Sequence, residues 1–313
     1  MNKIRALLFL SAALLSCTSH NSTIQCVETD QGFLFTENGS NVAFYQRAPK
    51  SYNGAYTRNN YVHPLWSLAG DTLTEDYPPD HAHHRGIFWA WHQICVGDKR
   101  LGDAWECRDF VWDVADATIE DAENGAKTLS VLVFWKSPDF VNQGGEMIPA
   151  VKESTRITIY PQNEHSRSID VEIQLLAMQD HVEIGGSEDE KGYGGFSLRI
   201  KCPDDLTFIS STGDVQPQNE ALVAGPWINM LGTYDGENRS GVAVLCHPAN
   251  PEPINRWILR QARSMQNPVY PGREKVPVLK ENPTILRYRV IVHNGDADVG
   301  DLYSEYTKIS KRF

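Results

Sequence analysis

Along most of the chain, apolar and polar residues alternate in short runs and do not recur at helical intervals. Residues 32–35, 42–46, 128–135, 155–160, 168–176, 196–200, 241–246 and 284–293 are rich in β-branched and aromatic side chains and predict strands. Residues 287–293 have the mixed pattern of a strand with one wet and one buried face. Asn38-Gly39, Asn124-Gly125, Asp235-Gly236 and Asn294-Gly295 supply hairpin-type turns over the whole length. Only residues 299–309 place apolar side chains, at Leu302, Tyr303, Tyr306 and Ile309, in a helical spacing. There is no fixed-period repeat, low-complexity block or linker after residue 23. Long strands with hairpin returns must bury one face against another sheet, so the expected fold is all-β: a large antiparallel β-sandwich closed by one C-terminal helix, as a single domain over residues 24–313.

The first residues break this pattern. Lys3 and Arg5 precede an apolar stretch, residues 7–15, that is too short for a permanent membrane span. Leu14-Leu15-Ser16-Cys17 resembles the lipobox of bacterial lipoproteins. Residues 1–16 are therefore expected to be a signal peptide, Cys17 the lipid-bearing residue, and residues 17–23 a short polar tether. This implies export to the periplasm or outer membrane, with Cys17 as the only membrane attachment. The net charge of −11 repels phosphate backbones and argues against a nucleic-acid partner. Five cysteines follow Cys17, an odd number that permits at most two bridges; Cys95 and Cys107 flank a turn-rich segment and could pair.

Candidate chemistry concentrates in residues 80–92. Five of the ten histidines lie from His63 to His92, with Asp80, His81, His83, His84 and Arg85 nearly contiguous. Imidazoles titrate near neutrality, ligate metals when neutral and donate protons when charged. If residues 80–85 are extended, His81, His83 and Arg85 share one face. That arrangement is compatible with a divalent metal, with Asp80, His63 or His92 as further ligands, and equally with metal-free acid/base chemistry in which Arg85 holds developing negative charge. Trp89 and Trp91 alternate and so share a side, offering aromatic faces that suit sugar rings; Trp66 and Trp105 add to them, and His92 follows directly.

Three further groups extend the set. Glu153, where a strand begins, is a candidate general base. A glycine-rich approach from Lys191 leads to a strand carrying Arg199, without the Lys-Ser/Thr ending of a phosphate loop. His247-Pro248 opens a rigid loop with Arg260 downstream.

The blocks His63-Pro64-Leu65-Trp66, Asp80-His81-x-His83-His84-Arg85-Gly86, Lys191-Gly192-Tyr193-Gly194-Gly195-Phe196-x-x-Arg199 and His247-Pro248 together resemble a bacterial domain family labelled "methane oxygenase PmoA" or left as a domain of unknown function. A membrane methane monooxygenase subunit would need several spanning helices, which this sequence lacks after its leader. The resemblance implies a sandwich similar to the galactose-mutarotase supersandwich, and occurrence in bacteria rich in polysaccharide-utilisation genes, beside sugar oxidoreductases and isomerases.

Taken together, these features lead to the expectation of an exported carbohydrate-active enzyme performing histidine-based acid/base chemistry as an epimerase, lyase or hydrolase. Catalysis would rest on His63, Asp80, His81, His83, His84, Arg85 and Glu153. Binding would rest on Trp66, Trp89, Trp91, His92, Lys191, Arg199, His247 and Arg260. The alternatives are a non-catalytic glycan-binding lipoprotein and a metal-dependent oxygenase or hydrolase.

Overall fold

The computed structural model describes residues 22–234 and 236–309. The expected signal peptide, Cys17 and most of the tether lie outside these residues. Two large antiparallel sheets dominate. One has six strands in the order Ile24–Glu28, Gly32–Glu37, Ser40–Gln46, Tyr61–Leu65, Ile87–Trp91 and Gly194–Leu198. The other has nine, in the order Val111–Asp121, Lys127–Lys136, Val151–Ile159, Ser166–Ala177, Thr284–His293, Arg239–Cys246, Trp227–Thr233, Thr207–Ser210 and Gly213–Val215. A four-stranded sheet, a three-stranded sheet and the hairpin Lys50–Tyr52/Ala55–Arg58 complete the strands. The one α-helix among the described residues is Val299–Ile309, as its spacing predicts, and no described helix is long and apolar enough to cross a membrane. The fold is the expected all-β sandwich.

The inner faces of the large sheets meet. Trp91 packs on Trp135 with ring centroids 5.4 Å apart, and Phe196 stacks on Tyr288 at 4.4 Å. Alternation is clearest in Ser166–Ala177, where nearly every second residue is buried, so a one-residue slip would turn this apolar face to solvent. The apolar core runs from Ile24 to Val292.

Three of the four expected turn positions lie in hairpin connections. Asn38-Gly39 and Asn124-Gly125 have positive φ at both residues and join paired strands, as a type I′ turn requires. Gly236 joins the paired strands Trp227–Thr233 and Arg239–Cys246; its neighbour Asp235 lies outside the described residues. Asn294-Gly295 is not a hairpin, because the chain passes from Thr284–His293 into the helix. The five described cysteines are free thiols, so Cys95 and Cys107 are not bridged.

Candidate functional site

Period-two alternation in Ile87–Trp91 divides the chemistry of this region. Trp89 and Trp91 point inward. Trp89 Nε1 donates to Glu153 Oε1 at 2.8 Å, and Trp91 Nε1 donates to the Tyr270 carbonyl at 3.0 Å. Both are fully buried core residues, which corrects their expected role as a sugar platform: they do share a side, but that side is the interior. Glu153 is corrected with them. Its carboxylate, wholly buried, accepts from Asn60 Nδ2, Thr155 Oγ1, Trp89 Nε1 and Trp135 Nε1 at 2.7–2.9 Å. Burial pushes it above the ordinary carboxylate range, and the four donors oppose that push. With no open path to solvent, it ties the two sheets together and is not placed to act as a base.

The opposite face of the same strand carries a band of rings. Phe88 meets Trp105 at 5.3 Å and His84 at 6.1 Å. His81 stacks on His84 at 4.7 Å with an interplanar angle of 5°, and His83 meets His84 edge-on at 4.5 Å. Trp105 then connects His84 (6.2 Å), His92 (5.3 Å, stacked) and Tyr193 (5.7 Å). Neighbouring strands explain the convergence. Ile87–Trp91 pairs with Gly194–Leu198, which sets Arg199 beside the histidine loop and Tyr193 beside His92.

The histidine loop, residues 66–86, does not take the extended form considered for residues 80–85. Pro78-Pro79 cannot supply ladder donors, and the chain turns instead: His81 N donates to the Pro78 carbonyl and His84 N to the His81 carbonyl. Gly86 closes the loop because a Cβ there would lie 2.2 Å from the Val62 carbonyl oxygen and 2.8 Å from the His63 Cβ.

Arg85 is a second correction. Its fully buried guanidinium donates to the carbonyls of Ala82 (2.6 Å), His84 (2.9 Å) and Tyr56, and lies 3.6 Å over the Tyr77 ring. It clamps the loop to the hairpin strand Ala55–Arg58 and does not face a developing charge. Arg260 is likewise a clamp, donating to the carbonyls of Gln218, Asn219 and Leu259 and to the Tyr193 hydroxyl. Arg199, 2% exposed, donates twice to Asp80 (2.8 and 2.9 Å) and once to Glu75 (2.8 Å). Its Nη1 also lies 3.4 Å from His84 Nδ1. A guanidinium only donates, so His84 Nδ1 is the acceptor and Nε2 carries the proton.

These contacts set the protonation of the band. Hydrogen bonds from Arg199 and His81 overcome partial desolvation and hold Asp80 down at about 2. Burial pushes His83 down to about 4 and His84 well below the usual imidazole range, so both are neutral at pH 7. The His81 side chain is 43% exposed and its Nδ1 lies 2.7 Å from Asp80 Oδ2. An ionised carboxylate there holds the proton on Nδ1 and leaves Nε2 as the basic nitrogen. A similar pair lies across Trp105, where His92 Nδ1 is 2.9 Å from Asp103 Oδ2.

The remaining expected residues divide. Lys191 reaches the band, with Nζ 5.6 Å from the Tyr193 ring centre. His63 is turned to Thr74, 2.9 Å from its hydroxyl, and burial pushes it down to about 4. Trp66 is half-buried at a bridge with Thr72 and takes no part in the band. His247 lies elsewhere, edge-on to Tyr306 of the helix, with Nδ1 accepting from Ala249 N. Sequence reasoning missed Tyr56, Glu75, Asp103 and Tyr193. Asp103 and Tyr193 carried a readable signal, since each sits a few residues from a residue that was singled out.

The donor set does not favour a metal at His81, His83 and His84, because Arg199 occupies the space between Asp80 and His84 with a positive charge. Among the described residues, three ligand atoms within 4.8 Å of one another occur at His92, Asp103 and Glu106. That group is also crowded by cations, with Arg100 and Arg108 each 3.7 Å from Asp103.

Two solved structures are similar to the chain at low scores. A heparinase III matches at a TM-score of 0.36 and 13% identity, over 88% of this chain and 36% of its own. A candidate mutarotase, YeaD, from Salmonella typhimurium matches at 0.33 and 8%, over 87% and 88%. The chain thus spans about a third of the heparinase, and likenesses this weak assign it neither a fold nor an activity. No curated protein matches the sequence. The methane-oxygenase label occurs neither in these two descriptions nor in that of the matching family. Residues 34–307 match the family of unknown function DUF6807, and the chain belongs to that family.

Proposed function

We propose that this protein is a carbohydrate-directed acid/base enzyme whose proton-transfer group is His81. The observation that carries the reading is the Arg199–Asp80–His81 relay: a buried guanidinium grips a carboxylate through two bonds, and the carboxylate orients a half-exposed imidazole. An orienting carboxylate selects one tautomer and stabilises the imidazolium that forms when Nε2 takes a proton.

The substrate class follows from the surroundings. The Tyr56 ring, 40% exposed, stands 6.3 Å from His83, and Tyr193 lies at the far end of the band. Half-exposed aromatic rings interleaved with neutral imidazoles suit a ligand with both C–H faces and hydroxyl edges. The arginines around the band are held by internal partners, which argues for an uncharged polyhydroxylated substrate over a phosphorylated one. Export through residues 1–16 and anchoring at Cys17 would place this activity at a membrane surface.

The test is incubation of the purified protein with a panel of neutral mono- and oligosaccharides, followed by proton NMR of the sugars. Turnover by the wild type that His81→Gln abolishes is expected. Turnover that survives His81→Gln undiminished overturns the reading, as does a wild type that changes none of the panel.

A further inference from the structure

The geometry points to His92, oriented by Asp103, as a second proton-transfer group in the same site, so that one imidazole removes a proton while the other delivers one. This rests on the proposed function and deepens it.

Three observations carry the inference. The first is orientation. Asp103 Oδ2 lies 2.9 Å from His92 Nδ1, and the carboxylate is itself fixed, since Oδ1 accepts from Glu106 N at 3.0 Å and Oδ2 faces Arg100 and Arg108. Asp103 is therefore a positioning residue that keeps the His92 proton on Nδ1 and the lone pair on Nε2. The second is access. The His92 side chain is 14% exposed, and no hydrogen bond to Nε2 exists among the described residues. The third is placement. His92 stacks on Trp105, whose indole meets His84, and His84 stacks on His81. A continuous run of ring contacts, His81 to His84 to Trp105 to His92, thus joins the two oriented imidazoles.

Two such groups balance a reaction without a redox partner. A base accepts a proton from a carbon or hydroxyl of the sugar, the electron pair released forms a new π bond, and the bond broken leaves on an oxygen that the second imidazole protonates. A single oriented imidazole would have to exchange its proton with water between these steps. Glu153, the carboxylate that sequence reasoning offered as the base, is sealed in the core and leaves this role open.

The test uses the full chain labelled with 15N-histidine. Long-range proton–nitrogen correlation spectra report which nitrogen of each imidazole is protonated, and loss of one signal set in His92→Gln identifies His92. The expected wild-type state is Nδ1–H. Asp103→Asn, whose amide can donate to Nδ1, is expected to reverse the tautomer while the unfolding transition remains cooperative. A wild-type Nε2–H form overturns the inference, as does an unchanged tautomer in Asp103→Asn. Stoichiometric Zn2+ binding that His92→Gln removes also overturns it, because an Nε2 ligated to metal cannot exchange a proton with a substrate. On a sugar that the wild type turns over, His92→Gln is expected to lower kcat by about 100-fold or more with KM changed far less. Loss of turnover in His81→Gln but not in His92→Gln overturns this inference alone; survival of turnover in both overturns the proposed function.

Discussion

Glu153 and Asp80 lie on opposite sides of the strand Ile87–Trp91, and they show how differently one fold uses two carboxylates. Glu153 faces four donors and no solvent, and its contacts join the two sheets. Asp80 faces one buried guanidinium and one half-exposed imidazole, and His81 Nε2 has no hydrogen-bond partner among the described residues. A buried polar network is stabilising when every member is satisfied. A site does the reverse and keeps one group in reserve. The contrast explains why Trp89, one residue from Phe88 and the ring band, belongs to the core.

The comparison breaks most sharply at His81. His81→Gln should lower turnover by about 100- to 10,000-fold, the usual contribution of a general acid or base, while denaturant unfolding shifts by about 0.5 kcal/mol or less, as for exposed side chains. Equal losses of turnover and stability would make His81 structural. Glu153→Ala should do the opposite. It strands the donors of Asn60, Trp89, Trp135 and Thr155 in the core, and unsatisfied buried groups cost roughly 1–3 kcal/mol each. A drop of at least about 3 kcal/mol in unfolding free energy is expected, and a change below about 1 kcal/mol would mean that the network is not what joins the sheets.

Acid should separate the buried histidines from the carboxylates. Burial holds His83 and His293 down at about 4. The unfolded chain protonates them near 6.5 and therefore binds more protons, so stability falls as pH drops from about 6.5 to about 4 and gains no further loss from them below that. Asp80, held at about 2, contributes stability that is lost only below its unfolded value of about 3.8. His293 is the cleanest probe: it is fully buried, its Nε2 is 2.9 Å from Asn229 Oδ1, and its Nδ1 accepts from Gly295 N. His293→Gln should make the slope of unfolding free energy between pH 6.5 and 4 shallower by about one proton. An unchanged slope would mean that His293 is already protonated in the native state.

The smallest effect is expected at Tyr56, which sharpens the comparison at its exposed edge. Its φ of 50° is unusual for a bulky residue, and the Arg85 clamp on its carbonyl holds the strand that carries it. Tyr56→Ala should weaken sugar affinity by up to about tenfold, about 0.5–1.5 kcal/mol for an aromatic contact, with little change in stability. Unaltered affinity in titration calorimetry would remove Tyr56 from the site.

Much of the fold was legible because strand formation is a local pattern. Thr284–His293 and Val299–Ile309 coincide with their predicted bounds, and Ser166–Ala177 extends its predicted run by two residues before and one after. The histidine grouping, Asp80 beside His81 and the glycine-rich lead to Arg199 were also legible, since each is a matter of adjacency. The uses of Arg85 and Arg260 were not, because a guanidinium that clamps carbonyls reads in sequence like one that awaits a substrate.

What the sequence determined by itself was the all-β class, the turns at Asn38-Gly39 and Asn124-Gly125, and the concentration of titratable groups, all of which depend on residues a few positions apart. What only the tertiary structure decided was which face of Ile87–Trp91 became interior, and with it the separation of Glu153 from the histidines and the meeting of His84, Trp105, His92 and Tyr193. Alternation along a strand defines two faces without saying which one a second sheet will cover, and that choice was made by the packing of residues far apart in the chain.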